Sequence, residues 1–319
     1  MNIVVLDTAT VADEDVRLDF LEKYGNVTAY YMSSPAEVPS RMREADMILI
    51  NKVHIGAAEM DAAPHLKYIG LFATGYNNVD LVAARRRGIA VCNVPGYSTE
   101  AVAQHTIALM LEHYNRVCDY GRSVMAGDWT RSETFCYTPI PLAEVAGKTV
   151  GIVGYGAIGR RVADIARAFG MRVLVYARRP LEEADVEQVS LDTLLETADV
   201  VSMHCPLNED SADMMDAAAF ARMKKGALFI NTARGGLVDE QALRAALDSG
   251  HLGGAALDVL RQEPMSADCP LLGAPRCIIT PHIAWASVDT RLRLVGIVED
   301  NIKAFLAGSP INNVAERAL

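Results

Sequence analysis

Residues 150–159 have the sequence VGIVGYGAIG, a short apolar run that leads directly into the glycine pattern GxGxxG. Val150–Val153 is typical of a buried strand, and the residues from Ala157 to Phe169 favour a helix that Gly170 would end. Glycines at such a junction permit a tight turn and let a diphosphate approach the helix N-terminus. The pattern therefore predicts a dinucleotide site, whose contacts include Gly154, Tyr155, Gly156, Ala157, Ile158 and Gly159.

Further apolar runs alternate with helix-favouring segments, which indicates parallel sheets covered on both faces. The second half of the chain predicts a helix over Asp239–Ser249 and strands over Val173–Tyr176, Val200–His204, Leu228–Asn231, Ala255–Val259 and Ile278–Thr280. The first half predicts helices over Asp13–Lys23 and Asp80–Arg87, and strands over Ile3–Leu6, Met47–Ile50, Tyr68–Phe72 and Ile89–Val91.

Two long helical patterns predict how the chain passes between its domains. Ser98–His113 should leave the first domain, and Ser287–Leu306 should return the chain to it, so that this domain is built from both chain ends. Between them, Gly121–Pro141 is predicted to be irregular, and it carries several aromatic residues. Long segments of this kind are often functional or cover a partner subunit.

The composition limits the possible functions of the 319-residue chain. Hydrophobic residues make up 51% and charged residues 22%, which argues against disorder, and the net charge of −10 disfavours nucleic-acid binding. The first residues resemble no signal peptide, and no apolar run is long enough to cross a membrane. The six cysteines form no CxxC pair, and the seven histidines show no metal-ligand spacing. We therefore expect a cytoplasmic protein with no metal site.

The second predicted strand of the dinucleotide fold lacks the usual acid. An Asp or Glu at its end normally accepts a hydrogen bond from the 2′-hydroxyl of the ribose. Here the chain has Tyr176 followed by Ala177, Arg178 and Arg179. Guanidinium groups in that place favour a 2′-phosphate, so NADP(H) is predicted to be preferred and NAD(H) remains possible. Alternatively, both arginines are solvated loop residues.

Three residues further along the chain carry the predicted chemistry. Arg234 can bind a substrate carboxylate through two parallel hydrogen bonds. His282 can give a proton to a keto oxygen as a hydride arrives, and Glu263 can orient the imidazole and favour its charged form. Beside a dinucleotide, this combination predicts the reduction of a 2-keto acid. Residues 73–78 lack the basic side chains that bind phosphate, so a small, unphosphorylated substrate is expected.

Over nearly its full length the chain resembles the D-2-hydroxyacid dehydrogenase family. The resemblance rests on the glycine turn and on HCPLNED, INTARGGLVDEQAL, GGAALDVLRQEP and TPHIAWAS, which occur in the order of the family. GYSTEAVAQHTIALML and Trp285 make the chain most similar to the glycerate dehydrogenase and hydroxypyruvate reductase branch. The substrate that this resemblance implies is hydroxypyruvate or glyoxylate, and the implied product is a D-2-hydroxy acid such as D-glycerate.

The resemblance implies a specific fold. It consists of two doubly wound parallel-sheet α/β domains with a cleft between them. A flavodoxin-like substrate domain would comprise 1–100 and 286–319, and a Rossmann cofactor domain would comprise 101–285. A homodimer is also implied, with contacts around Ala101–Pro141.

The resemblance also implies the roles of individual residues. Arg234 would bind the substrate, His282 would transfer the proton and Glu263 would support His282. Cofactor contacts are expected from Thr106, Cys205, Pro206, Thr232, Ala233, Arg234, Asp258 and His282, besides the glycine turn and residues 177–179. Substrate contacts are expected from Lys52, Ala73, Thr74, Gly75, Arg234, His282 and Trp285, although a structural or solvated role for Lys52 stays open.

Three other functions are compatible with parts of this pattern. Some family members serve as corepressors, so a nucleotide-sensing interaction protein is the main alternative to an enzyme. A formate dehydrogenase is disfavoured, because that branch pairs its histidine with glutamine where this chain has Glu263. Nucleophilic catalysis by Cys205 is also disfavoured, since the sequence identifies no base partner for it.

Overall fold

The computed structural model describes residues 1–183 and 186–317. Its strands are β1 (Asn2–Val5), β2 (Asn26–Ala29), β3 (Met47–Ile50), β4 (Tyr68–Leu71), β5 (Ala90–Cys92), β6 (Thr149–Val153), β7 (Arg172–Tyr176), β8 (Glu187–Gln188), β9 (Val200–Met203), β10 (Leu228–Asn231), β11 (Gly254–Leu257) and β12 (Cys277–Ile279). Its α-helices are α1 (Val38–Met42), α2 (Ala57–Asp61), α3 (Leu81–Arg86), α4 (Thr99–Asn115), α5 (Val117–Met125), α6 (Ala157–Ala168), α7 (Leu191–Thr197), α8 (Ala217–Arg222), α9 (Glu240–Asp248) and α10 (Val288–Leu306). Among the residues described, no helix has the length and apolar character that crossing a membrane requires.

The chain forms two compact units. The first unit comprises Met1–Ser98 and Ala286–Leu319, and the second comprises Thr99–Trp285. Each unit contains one sheet, and the paired strands of both sheets are parallel. Parallel sheets require crossover connections that cover their faces. The two-sheet α/β architecture predicted from the sequence is therefore confirmed.

The first unit has the strand order β2-β1-β3-β4-β5, which is the flavodoxin-like order. All four residues of both β3 and β4 are buried, as expected for central strands covered on both faces. By contrast, β2 is the exposed edge strand and has no apolar run, which explains why the sequence did not reveal it. The order of the strands reverses between β1 and β3, and ligands of such folds bind at the carboxyl ends of the strands beside this reversal.

The second unit has the strand order β12-β11-β10-β9-β6-β7-β8, the doubly wound order of dinucleotide-binding domains. Its central strand β6 is buried along its whole length and is flanked by β7 and β9. The strand order reverses between β6 and β9, so their carboxyl ends mark the expected ligand crevice. Most of the residues that the sequence predicted to be functional follow strands of this sheet.

The predicted ends of two helices are confirmed by their capping groups. Asp80 caps α3, because its side chain accepts a hydrogen bond from the N–H of Ala83 at 2.9 Å. Asp239 caps α9 in the same way through the N–H groups of Gln241 and Ala242. Gly88 and Gly250 follow these helices with positive φ angles of 66° and 69°, which glycine adopts without steric cost.

Two segments differ from the sequence prediction. Asp13–Lys23 forms no α-helix, but turns followed by a 3₁₀ helix over Asp19–Lys23. The carboxylate of Asp13 accepts from the N–H groups of Asp15 and Val16 and thereby offers the backbone an alternative to a helix. Conversely, Gly121–Pro141 is not irregular throughout, because its first five residues continue α5. The pair of Asp119 and Arg122, 2.9 Å apart on one helix face, favours this helix despite Gly121.

Candidate active site

The glycine turn after β6 has the shape that a bound diphosphate needs. A Cβ at Gly154 would lie 2.6 Å from the backbone nitrogen of Cys205, and one at Gly159 would lie 2.2 Å from the carbonyl oxygen of Gly154. Both positions therefore require glycine for close packing. A Cβ at Gly156 would meet no atom within 4 Å, so this side of the turn is open, and Gly156 immediately precedes the 12-residue helix α6. An open backbone at a helix N-terminus fits the diphosphate of a dinucleotide.

The end of β7 presents two exposed cations. Ala177, half-buried, occupies the position of the usual acid, and Arg178 and Arg179 follow it on the surface. The backbone of this turn is fixed by Gln188, whose side-chain amide donates to the carbonyl oxygens of Ala177 at 3.0 Å and Arg179 at 2.9 Å. Arg178 is also paired, since its Nη1 lies 2.6 Å from Oδ2 of Asp210.

The segment after β9 lies against the glycine turn through Cys205. Burial raises the pKa of the Cys205 thiol to about 11, while the nearby positive charge of Arg178 acts in the opposite direction. A thiol with so high a pKa is protonated at neutral pH and is a poor nucleophile, which argues against covalent catalysis by Cys205. Pro206 follows on the surface, and its carbonyl oxygen accepts a hydrogen bond from Ser211 Oγ at 2.7 Å.

The turn after β10 carries Arg234 and is held by a side chain that the sequence analysis overlooked. Asn231 is fully buried, accepts from the N–H of Ala233 at 3.0 Å and donates to the carbonyl oxygen of Arg234 at 2.9 Å. Thr232 Oγ1 lies 2.9 Å from Thr106 Oγ1, so the structure brings together two of the predicted cofactor contacts. Arg234 itself is exposed, so its guanidinium is accessible from solvent.

Close packing joins the Arg234 turn to the loop that carries Glu263. A Cβ at Gly235 would lie 1.9 Å from the carbonyl carbon of Leu260, so only glycine permits this approach. The N–H of Leu260 donates to Oε1 of Glu263 at 3.0 Å. The other oxygen of Glu263, Oε2, lies 2.7 Å from Nδ1 of His282. A series of contacts therefore leads from Gly235, the residue after Arg234, to His282.

The backbone of His282 is held in an unusual conformation. Its φ angle is 56°, in the left-handed region that non-glycine residues rarely adopt. Its N–H donates to the carbonyl oxygen of Asp258 at 2.8 Å. The Asp258 side chain is buried and accepts from the N–H groups of Ile283 and Ala284, both at 2.9 Å. Asp258, which the sequence predicts to be a cofactor contact, thus fixes the loop of His282.

A second polar side chain, His105, supports the same loop from α4. Its Nε2 lies 3.0 Å from Thr280 Oγ1, which donates to Oδ1 of Asp258 at 2.6 Å. No local sequence pattern could indicate this contact, because His105 and Thr280 are 175 residues apart. Trp285, half-buried, ends the second unit just after this loop.

In the first unit, the predicted substrate residues follow the strands of its own sheet. The hydroxyl of Thr74 donates to the carbonyl oxygen of Val94 at 2.7 Å, which fixes the Ala73-Thr74-Gly75 segment after β4. Among the described residues, the N–H groups of Thr74 and Gly75 have no hydrogen-bond acceptor, so they are available to an anion.

Lys52 belongs to a loop that a buried carboxylate organises. Asp7 is 1% exposed and accepts from the backbone N–H groups of Asn51, Lys52 and Val53. Desolvation raises the pKa of Asp7, although these three hydrogen bonds and the charge of Lys52 counteract part of that rise. The sequence analysis did not single out Asp7, since one aspartate at the end of a strand gives no distinctive pattern.

A glycine turn that fits a dinucleotide, together with an imidazole hydrogen-bonded to a carboxylate, is typical of a nicotinamide-dependent oxidoreductase. The NAD-binding domain of the D-isomer specific 2-hydroxyacid dehydrogenases matches residues 107–284. Hydroxypyruvate reductase of Blautia hydrogenotrophica is 41% identical over 98% of this chain and 99% of its own length. Glycerate dehydrogenase of Methylorubrum extorquens is 40% identical over 98% of each chain.

A solved structure agrees with these sequence comparisons. The NADPH-dependent glyoxylate/hydroxypyruvate reductase of Sinorhizobium meliloti, in complex with NADP and malonate, has a TM-score of 0.86. It is 31% identical, and the match covers 99% of this chain and 97% of that one. The chain therefore belongs to the D-isomer specific 2-hydroxyacid dehydrogenases, as the sequence resemblance predicted. It is an NAD(P)-dependent enzyme, and the interaction-protein alternative finds no support.

Proposed function

We propose that this enzyme reduces hydroxypyruvate and glyoxylate, with D-glycerate as the product from hydroxypyruvate. The observation that carries the proposal is the series of contacts from Gly235, which directly follows Arg234, through Leu260 and Glu263 to His282. It provides a cation for the substrate carboxylate and an oriented imidazole for the keto oxygen. The names of the two curated relatives at 40–41% identity support the choice of substrate.

In this proposal Arg234 binds the substrate carboxylate and polarises the keto oxygen. Glu263 accepts from His282 Nδ1, so the opposite nitrogen, Nε2, is the one that carries the proton to be transferred. When bound, the reduced nicotinamide supplies the hydride that the keto carbon accepts. His282 Nε2 gives its proton to the keto oxygen, so the carbonyl becomes an alcohol and the imidazolium becomes neutral. Glu263 stabilises the imidazolium that precedes this step.

The remaining predicted contacts complete the proposal. Thr106, Cys205, Pro206, Thr232, Ala233 and Asp258 would bind the cofactor together with the glycine turn. Lys52, Ala73, Thr74, Gly75 and Trp285 remain predictions for substrate binding, and a cytoplasmic location remains a prediction as well. The available N–H groups of Thr74 and Gly75 support a carboxylate contact there.

We further propose that NADP(H) is preferred over NAD(H). Ala177 leaves no carboxylate at the end of β7 to repel a 2′-phosphate, and Arg178 and Arg179 supply positive charge. The NADP complex of the Sinorhizobium meliloti relative is consistent with this choice.

A homodimer is the proposed assembly. The part of the chain predicted to form the contacts leaves four large apolar side chains more than half exposed within 19 residues of sequence, and exposed apolar surface is typical of protein–protein contacts. These side chains are Val117, Met125, Trp129 and Phe135, exposed by 64%, 89%, 51% and 88%. Light scattering of the wild type and of a Met125→Glu, Phe135→Glu double variant tests the assembly. We expect a dimer that the double variant converts to a monomer, and a monomeric wild type would contradict the proposal.

The substrate proposal is tested by following NADPH oxidation with hydroxypyruvate, glyoxylate, pyruvate and phosphohydroxypyruvate. We expect the highest kcat/KM with hydroxypyruvate and glyoxylate. The product formed from hydroxypyruvate should be oxidised only by an enzyme that is specific for D-glycerate. The His282→Asn variant is the control, because asparagine cannot transfer the proton and the reductase activity should be lost even when NADPH is saturating. A higher kcat/KM with the phosphorylated keto acid, or an L-product, would contradict the proposal.

A further inference from the structure

The guanidinium of Arg178 is already bound by a carboxylate of the protein. Arg178 Nη1 and Asp210 Oδ2 are 2.6 Å apart, and the two side chains are 60% and 75% exposed. Asp210 lies on the segment after β9, 32 residues from Arg178, so the sequence motif at the end of β7 did not include it. The residue that is proposed to recognise a 2′-phosphate therefore has a competing anion at its side.

Asp210 is held in place by the turn around it. Asn208 Oδ1 accepts from the N–H groups of both Asp210 and Ser211 at 3.1 Å. Ser211 Oγ in turn donates to the carbonyl oxygen of Pro206, which ties the turn to the predicted cofactor segment. These three hydrogen bonds fix the backbone of the turn, so Asp210 stays within reach of Arg178.

The backbone of Arg178 is equally fixed. The Gln188 amide binds the carbonyl oxygens on both sides of it, those of Ala177 and Arg179. In folds of this kind, the residue at the end of the second strand lies beside the 2′ position of the adenosine ribose. A 2′-phosphate that binds Arg178 Nη1 would therefore come close to the Asp210 carboxylate, and like charges at that distance repel each other.

We propose that Asp210 is a specificity-determining residue that weakens the binding of NADPH relative to NADH. It does so by occupying the guanidinium of Arg178 and by repelling the 2′-phosphate. This inference rests on the proposed function in that Arg178 is taken as the phosphate-binding residue. The inference goes further in one respect: because of Asp210, the preference of this enzyme for NADPH over NADH is smaller than Arg178 and Arg179 alone would produce.

The test is direct binding of NADPH and NADH to the wild type and to the Asp210→Asn variant, measured by isothermal titration calorimetry at low ionic strength. Asparagine keeps the size of the side chain and removes its charge. Exposed ion pairs contribute little, so we expect the Kd for NADPH to fall by about two- to five-fold. The Kd for NADH should change by less than that, because NADH carries no 2′-phosphate. Binding is measured without a keto acid, so failure of the proposed reductase activity is recognised separately.

Glu209→Gln is the matched control, because it removes the same charge from the neighbouring exposed position. A long-range charge effect would tighten NADPH binding equally in both variants, and that result would overturn the proposal. An unchanged or weaker NADPH affinity in Asp210→Asn would also overturn it, the latter because it would mean that Asp210 orients Arg178 for the phosphate. In an Arg178→Gln background, we expect Asp210→Asn to give a smaller gain in NADPH affinity. A gain as large as in the wild-type background would show that Asp210 does not act through Arg178.

Discussion

His282 and Glu263 are joined by a hydrogen bond of 2.7 Å between Nδ1 and Oε2, although 19 residues separate them in the chain. Both side chains are about one-third exposed, so the pair is neither isolated in the core nor fully solvated. The second oxygen of Glu263 binds the N–H of Leu260, which orients the carboxylate before it binds the imidazole. The pair is therefore preorganised, and removing either partner should affect proton transfer more than binding.

The first prediction concerns this pair. Glu263→Gln should lower kcat for hydroxypyruvate reduction by about 10- to 100-fold, while His282→Asn should lower it by ~10²–10⁴-fold. Glutamine can still accept a hydrogen bond but cannot stabilise the imidazolium by its charge. Steady-state kinetics of the two single variants and the double variant provide the measurement. The double variant should be no slower than His282→Asn, and additive losses would show that Glu263 does not act through His282.

The second prediction concerns the cation that is proposed to bind the substrate. Arg234→Gln should raise the KM for hydroxypyruvate by about 10- to 150-fold, because a charge-assisted hydrogen bond to a carboxylate is lost. Arg234→Lys should recover part of this loss, since lysine keeps the charge but not the two-pronged geometry. The affinity for NADPH, measured by fluorescence titration, should change by much less than the KM for hydroxypyruvate does. A KM for hydroxypyruvate unchanged in Arg234→Gln would exclude the proposed role.

The third prediction concerns the loop that carries His282. Asp258→Asn should reduce the free energy of unfolding by about 1–3 kcal/mol, because the amide cannot accept all the hydrogen bonds that the buried carboxylate accepts. Thr280→Val is the comparison, since it removes only one of these donors and should cost less. Urea denaturation followed by circular dichroism measures both effects. Equal stability of Asp258→Asn and the wild type would mean that the loop does not depend on this carboxylate.

The fourth prediction concerns the choice of cofactor. The wild type should show a kcat/KM with NADPH about tenfold or more above that with NADH, because a charge-assisted phosphate contact contributes about 1.5–3 kcal/mol. The double change Ala177→Asp with Arg178→Ala should reverse this order, since it restores an acceptor for the 2′-hydroxyl and removes a phosphate donor. Hydroxypyruvate is the substrate for both measurements. Equal or NADH-favouring values in the wild type would contradict the proposed preference for NADP(H).

The fifth prediction concerns stability at acid pH. Burial lowers the pKa of His204 to about 4, and its Nε2 lies 2.8 Å from Ser202 Oγ. An unfolded histidine has a pKa of about 6.5, so the unfolded state takes up this proton at a higher pH than the folded state does. The free energy of unfolding should therefore fall as the pH decreases from about 6.5 to 4, by at most about 3 kcal/mol from this residue.

Denaturation midpoints of the wild type and of His204→Asn, measured at pH 7 and pH 5, test the contribution of His204. The variant should start from a lower stability at pH 7, because it loses the packed ring, but it should lose less on acidification. Parallel losses in both proteins would assign the acid sensitivity to other groups, such as His113, whose pKa burial also lowers to about 4.

The sequence by itself determined the architecture of both sheets and the type of cofactor. Buried parallel strands produce continuous apolar runs, and the glycine turn has a local steric requirement. Both features therefore depend on residues that are adjacent in the sequence. The residue types of Arg234, Glu263 and His282 also indicated the chemistry before any distance was known. At Asp13–Lys23 the sequence predicted a helix, but in the folded chain the Asp13 carboxylate accepts from the backbone N–H groups of Asp15 and Val16 instead.

Only the tertiary structure decided which distant groups come into contact. Asp210 beside Arg178, His105 beside Thr280, and Leu260 beside Gly235 are contacts between segments that no sequence period relates. The same is true of Asn231 and Gln188, which hold the turns that carry the charged residues. Such contacts depend on the order of strands in the sheet and on loop conformations, because these place carboxyl ends from distant parts of the chain side by side. The sequence therefore specified the reactive groups, and the folded chain specified what orients them and what competes with them.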